Sequence, residues 1–211
     1  MSLRPRLAPC RSRVRASRVT RLRARGFSLI VAMLMLAVIG LASAAIMRNA
    51  VSGDQVANNN RLQTQAGQYA QLALRFCISQ LEQAPEARVA RVLPLTTPPA
   101  WTMQRNWSDS SAHLGHTLAA AEIGASVQPR VPPQCLVEAT SLPDVYTVTA
   151  RGFSSDFKAD ASTGATRTGS AMWVQATVHA PGEAPVPPGT VPPGPLSVRE
   201  RTWQQLLTPP F

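Results

Sequence analysis

The sequence predicts an α+β protein: a long N-terminal α-helix, transmembrane in its first half, packed on a small antiparallel β-sheet head. Three observations predict it. No charged residue occurs from Phe27 to Met47, a run of 21 residues. No proline follows that run until Pro85, and the intervening stretch carries an apolar stripe. Downstream, "VYTVTA" at 145–150 and "SAMWVQATVHA" at 170–180 alternate apolar and polar residues with the period of a half-buried strand.

The charge is unevenly distributed. The chain has 211 residues and a formal charge of +10, yet nine of its 21 basic residues are arginines within residues 1–26, where no acid occurs. The remaining 12 basic residues meet 11 acidic ones, so the body is close to neutral. Nucleic acid is disfavoured as a partner, because such binding rests on phosphate neutralisation and the leader interleaves no aromatic residue to stack on bases. A basic flank held inside by a membrane segment fits better. An uncharged helix of about 20 residues spans about 30 Å, the thickness of a bilayer core. A buried core helix rarely stays apolar on every face for that length.

The second half of the helix is one-sided. Leu62, Ala66, Tyr69, Ala73, Phe76 and Gln80 recur at spacings of four and three, with Leu72 and Leu81 beside them. This half can continue from the membrane segment, although Gly53 and the run Asn58-Asn59-Asn60 could loosen the junction. Pro85 stops the helix. "LPLTTPPAW" at 93–101 reads as a loop, and Trp101 and Trp107 as cover for a small core. Residues 101–130 fit either a short helix or an irregular insertion. Cys135–Glu138 is the first strand. The turn-rich stretch 151–169 reads as a long exposed connection. In 171–178, Met172, Val174, Ala176 and Val178 form one face and Trp173, Gln175 and Thr177 the other. Seven prolines between Ala180 and Leu196 imply an extended, poorly ordered segment or a loop crossing the sheet edge. "SVRERTWQQLL" closes the chain as a strand or short helix. The organisation is thus a basic leader 1–26, a membrane segment 27–47, an amphipathic helix 48–84 and a head 85–211.

The N-terminus admits two cuts. Ala42-Ser43-Ala44 offers a small-residue site for signal cleavage before Ala45, which would release a soluble periplasmic enzyme or binding module. Against it stands "RARGFSLIVAMLMLAVIG" running on into an amphipathic helix. A basic leader ending in glycine, then phenylalanine, then such a helix, resembles the type IV pilins and the pseudopilins of type II secretion. The likeness is greatest to PilX-type minor pilins. It extends over residues 23–85 and more weakly over 134–179 and 202–207, where "QCLVE", "YTVTARG", "MWVQATV" and "TWQQL" follow in the family's order. It does not reach 93–130.

The resemblance implies a pilin-like fold and a structural role without catalysis. A prepilin peptidase would cut after Gly26, and the new N-terminus, Phe27, would be N-methylated. The chain would sit in the inner membrane with its N-terminus cytoplasmic and its head periplasmic, then enter a surface fibre beside other minor and major pilins. Major pilins carry glutamate at the fifth mature position, which here is Val31. Its absence favours a minor or initiating subunit. A tip-type type II secretion pseudopilin is the nearest alternative, although its head is usually larger. A DNA-uptake pilin has little support from a neutral body. Cleavage after Gly26 would remove Cys10 and leave Cys77 and Cys135 facing an oxidising compartment. A disulfide between them is expected, with two buried thiols as the alternative.

No catalytic constellation stands out, and no cofactor or metal is expected. His113 and His116 stand three apart and could share a helix face, but without an acid or cysteine at ligand spacing they read as residues of a surface loop or helix face. His179 reads as solvated at a strand end. Asp156 and Asp160 share a turn-rich loop that solvation explains better than cation binding.

Overall fold

A computed structural model describes residues 27–107, 114–124, 129–160, 166–183 and 186–208. The leader, with Cys10 and Gly26, and His113 lie outside the described residues. Two compact units divide at Val51. The first contains the N-terminal half of α1 (Phe27–Leu81), a helix of 55 residues that continues into the second. Between Phe27 and Met47 its large apolar side chains are exposed apart from partly buried Val31, including Phe27, Leu29, Met33 and Leu36. Among the described residues this is one helix long and apolar enough to cross a membrane, and its most apolar window is 0% buried, unlike a core helix.

The second unit holds the rest of α1 and the sheet. Its strands are β1 (Val92–Leu93), β2 (His116–Thr117), β3 (Gln134–Ala139), β4 (Val145–Phe153), β5 (Lys158–Ala159), β6 (Thr166–Thr168), β7 (Ala171–His179) and β8 (Glu200–Leu206), with a one-turn α2 at Ala120–Ile123. The main sheet runs β1-β3-β4-β7-β8, with β2 also on β3, while β5 and β6 form a separate hairpin. Residues 116–123 thus supply both a strand and a helical turn. The sheet is mixed, not purely antiparallel: β1 lies parallel to β3, with Val92 opposite Val137. Two residues are too short to show alternation, so β1 and β2 left no period in the sequence.

Alternation sets which side chains reach α1. Cys135, Val137 and Ala139 of β3, Tyr146, Val148 and Ala150 of β4, and Val174, Ala176 and Val178 of β7 join one cluster with Ala70, Ala73, Leu74, Ile78 and Leu81. Leu136 and Trp173 point the other way and pack with Leu93, Ala100 and Trp107. All six residues of β3 are therefore buried.

The buried stripe of α1 is Leu62, Ala66, Ala70, Ala73, Leu74, Cys77, Ile78 and Leu81. From residue 69 onward it lies one residue, or about 100°, round from the stripe that Tyr69, Phe76 and Gln80 predict. Small residues explain the rotation. Ala66, Gly67 and Ala70 let the helix backbone approach the sheet, and the wider Tyr69 and Phe76 move to the margin, where they are partly buried. Gly152 of β4 completes the contact: a Cβ there would collide with the amide N of Ala70 and the carbonyl O of Ala66, and would lie 2.7 Å from the carbonyl C of Tyr69.

The helix ends at Leu81, short of Pro85, and its last carbonyls are capped from outside. Arg88 donates from Nε to the carbonyls of Gln80 (3.1 Å) and Gln83 (3.0 Å), and from Nη2 to those of Leu81 (3.2 Å) and Gly194 (2.6 Å). A cation at a helix C-terminus also complements the helix dipole. Burial lowers the Arg88 guanidinium from its ordinary value, with Tyr146 and Glu86 acting the other way. Burial likewise pushes the Tyr146 phenol up, reinforced by Asp144 and opposed by Arg88.

The proline-rich segment is a loop that folds over this helix end. Ala180, Val186, Pro192 and Leu196 are buried. Leu196 N–H donates to the Leu81 carbonyl (3.0 Å), and Leu95 N–H to that of Gly189 (2.9 Å). The stretch after β4 is also more built than an exposed connection. β4 runs on to Phe153, and Phe153 packs against buried Phe157 with ring centroids 4.4 Å apart. The last element among the described residues is strand β8, not a helix.

Candidate functional site

The residues singled out by sequence fall in separate places. Phe27 opens α1 as described and is 71% exposed. Val31 lies one turn on, partly buried. Cys77 and Cys135 meet on the inner face of the head, their sulfurs bonded and their Cα atoms 6.2 Å apart. The bond fastens the buried stripe of α1 to β3, and both residues are fully buried. On reduction the intact protein should gain about 2 Da, one hydrogen per sulfur. An unchanged mass by intact-protein mass spectrometry would mean that the bond is absent.

The histidines and aspartates have local partners. His116 Nε2 lies 3.0 Å from Glu122 Oε2, and its ring stacks on Phe76 with centroids 5.4 Å apart. Glu122 also accepts from the Ala119 N–H (2.6 Å), so the carboxylate ties β2 to α2. His179 is exposed at the end of β7. Asp156 accepts from the Ser154 hydroxyl (2.7 Å), whereas Asp160 pairs with Arg167 (2.6 Å), so the structure gives the two carboxylates different partners. No group of three or more His, Cys, Asp or Glu side chains among the described residues could hold a metal ion.

Sequence reasoning missed two polar groups on the outer face of the sheet, half-buried Arg151 and buried Glu138. Arg151 places its guanidinium 5.4 Å from the Trp107 ring, 5.1 Å from Phe153 and 5.3 Å from Trp173. It donates to Gln134 Oε1 (2.7 Å) and to the Trp107 carbonyl. Aromatic faces attract such a cation, so this one arginine gathers the tryptophans that close the second cluster. Glu138 is 2% exposed. Its carboxylate accepts from the Thr96 N–H (3.1 Å), the Thr96 hydroxyl (3.0 Å) and the Ala100 N–H (3.0 Å), pinning residues 96–100 to β3. Glu138→Ala would strand the buried Ala100 N–H and the part-buried Thr96 donors, and thermal unfolding should report a loss of about 2 kcal/mol. Glu138→Gln keeps one carbonyl acceptor and should lose less. The acid's place in "QCLVE", directly after the apolar run Cys135–Val137, was the available signal.

It missed a surface as well. Beyond β7 the sheet extends one strand past the cover of α1. A groove of about 170 Å³ opens there, lined by Gln71, Leu74, Arg75, Ile78, Ala176, Arg201 and Trp203. Trp203 is 59% exposed. No protein-family model, curated protein or solved structure matches the chain significantly.

Proposed function

We propose that the protein is a minor type IV pilin, incorporated into a pilus or priming its assembly after prepilin peptidase cleavage between Gly26 and Phe27. The observation that carries the reading is the helix α1. It is apolar and exposed in its first half and one-sided against a sheet in its second, and its uncharged run follows directly on the arginine-rich leader in the sequence. A subunit of this kind is a substrate of assembly. Arginines hold the leader in the cytoplasm, the apolar half of α1 stores the chain in the inner membrane, and extraction turns that half into fibre core. The head faces the periplasm and then the cell surface, beside other minor and major pilins. Val31 carries no charge into the membrane, where an unpaired carboxylate would be costly.

N-terminal mass analysis of protein from membranes and from sheared surface fibres tests the reading. The expected chain starts at Phe27 with one added methyl group and is present in both fractions. A chain starting at Ala45 in the soluble periplasm would overturn it, because that cut divides α1 and discards its membrane half. A chain starting at methylated Phe27 but absent from fibres would transfer the protein to a secretion pseudopilus.

A further inference from the structure

β8 is the last strand on its side of the sheet, and among the described residues nothing pairs with its outer edge. Every residue from Glu200 to Gln205 is exposed. In an antiparallel edge strand, alternate residues turn their N–H and C=O groups outward, a ready template for another strand. Natural edges are usually blunted by charge, proline or a covering loop. This one carries charge only at its start, Glu200 and Arg201, and displays at its centre a tryptophan, a residue type enriched among binding hot spots.

The register gives Trp203 its direction. It stands opposite Ala176 and Arg201 opposite Val178, so both share the face that α1 covers elsewhere. The groove between them and the helix has an apolar floor of Leu74, Ile78 and Ala176 and a cationic rim of Arg75 and Arg201. Its volume is close to the roughly 150 Å³ that accommodates a benzene molecule in an apolar cavity. One aromatic or branched aliphatic side chain fills such a space. Neither arginine pairs with an acid among the described residues, and Glu200 alternates to the opposite face of the strand. Two uncompensated cations beside an open edge select a carboxylate-bearing segment.

We propose that β8 and its groove receive an extended acidic segment of a partner protein, which adds a strand to the sheet, seats one apolar side chain beside Trp203 and places a carboxylate between Arg75 and Arg201. The main chain would supply affinity, and the pocket and the arginines specificity. The surface is independent of how the N-terminus is processed, so it stands whether or not the chain enters a fibre.

The test uses the full chain in detergent and three labelled eight-residue peptides, read by fluorescence anisotropy. The first alternates threonine with glutamate around one phenylalanine. The second replaces glutamate by lysine, and the third repeats the first with alternate amides N-methylated. The acidic peptide should bind, with the lysine and N-methylated peptides at least tenfold weaker. Trp203→Ala should cost tenfold or more, and Arg75→Glu with Arg201→Glu should reverse the charge preference. These side chains are exposed or line the groove rim, and an unchanged thermal midpoint checks the fold of each variant. No binding of the acidic peptide, equal binding of acidic and lysine peptides, or a double variant that keeps the acidic preference would overturn the proposal. So would self-association of the unmodified chain that Trp203→Ala abolishes, which would give the edge to a second copy.

Discussion

Gly152→Ala should destabilise the head by about 3 kcal/mol, at the upper end of what overpacking a well-filled core costs. The added methyl would meet helix backbone, the amide of Ala70 and the carbonyl of Ala66, and backbone cannot rotate aside as a flexible side chain can. Relief requires α1 to lift from β4, which would also loosen Ala70, Ala73 and Leu74 from the shared cluster. For a domain of this size the thermal midpoint should fall by roughly 6–12 °C. Gly194→Ala is the control, since nothing lies within 4 Å of its Cβ position. It should stay within about 0.5 kcal/mol of the parent. A Gly152→Ala midpoint equal to that of the control would show that helix and sheet are not seated as closely as described.

Removing the disulfide should have the larger effect. Cys77 and Cys135 are 58 residues apart, and loop closure over that span contributes roughly 4 kcal/mol in the chain-entropy model. The double variant Cys77→Ala/Cys135→Ala should therefore melt about 8–16 °C lower than the oxidised parent. Reducing the parent should reproduce most of that fall. Denaturant unfolding gives the same comparison through the midpoint. A double variant as stable as the oxidised protein would mean that native packing alone fixes α1 on β3.

What the sequence made legible followed from patterns long enough to have a period. The charge boundary at Gly26–Phe27, the unbroken helix and the alternating strands β4 and β7 are of this kind. β7 has the two faces expected, Val174, Ala176 and Val178 turned to the helix and Trp173 away from it. The stripe on α1 was located only in part. Hydrophobicity favoured Tyr69 and Phe76, but close approach to Gly152 favours alanine, and small size leaves a weak hydropathic signal. Two-residue strands such as β1 and β2 carry no alternation at all. Arg88 was illegible for another reason. The helix has no basic residue in its last turn, and its cap comes from beyond Pro85, through a turn that only the folded chain reveals. The β8 edge was read as strand or helix, and its exposure depends on which elements end up beside it. The Arg75–Arg201 rim joins residues more than a hundred positions apart, a proximity that no local pattern encodes.

The long separation of the two bonded cysteines also sets an order of events during synthesis. A ribosome adds about 5–20 residues each second, so Cys77 emerges roughly 3–12 s before Cys135, 58 residues later. During that interval α1 has no sheet to rest on and its sulfur has no native mate. The chain's third cysteine, Cys10, lies on the far side of the uncharged run 27–47. On the face of the waiting thiol stand Leu74, Ile78 and Leu81, with the small residues Ala66, Gly67, Ala70 and Ala73 further up the helix. The leucines and isoleucine around that sulfur have no apolar cover until β3 arrives, so the strand that brings the second cysteine is also the one that closes over the first.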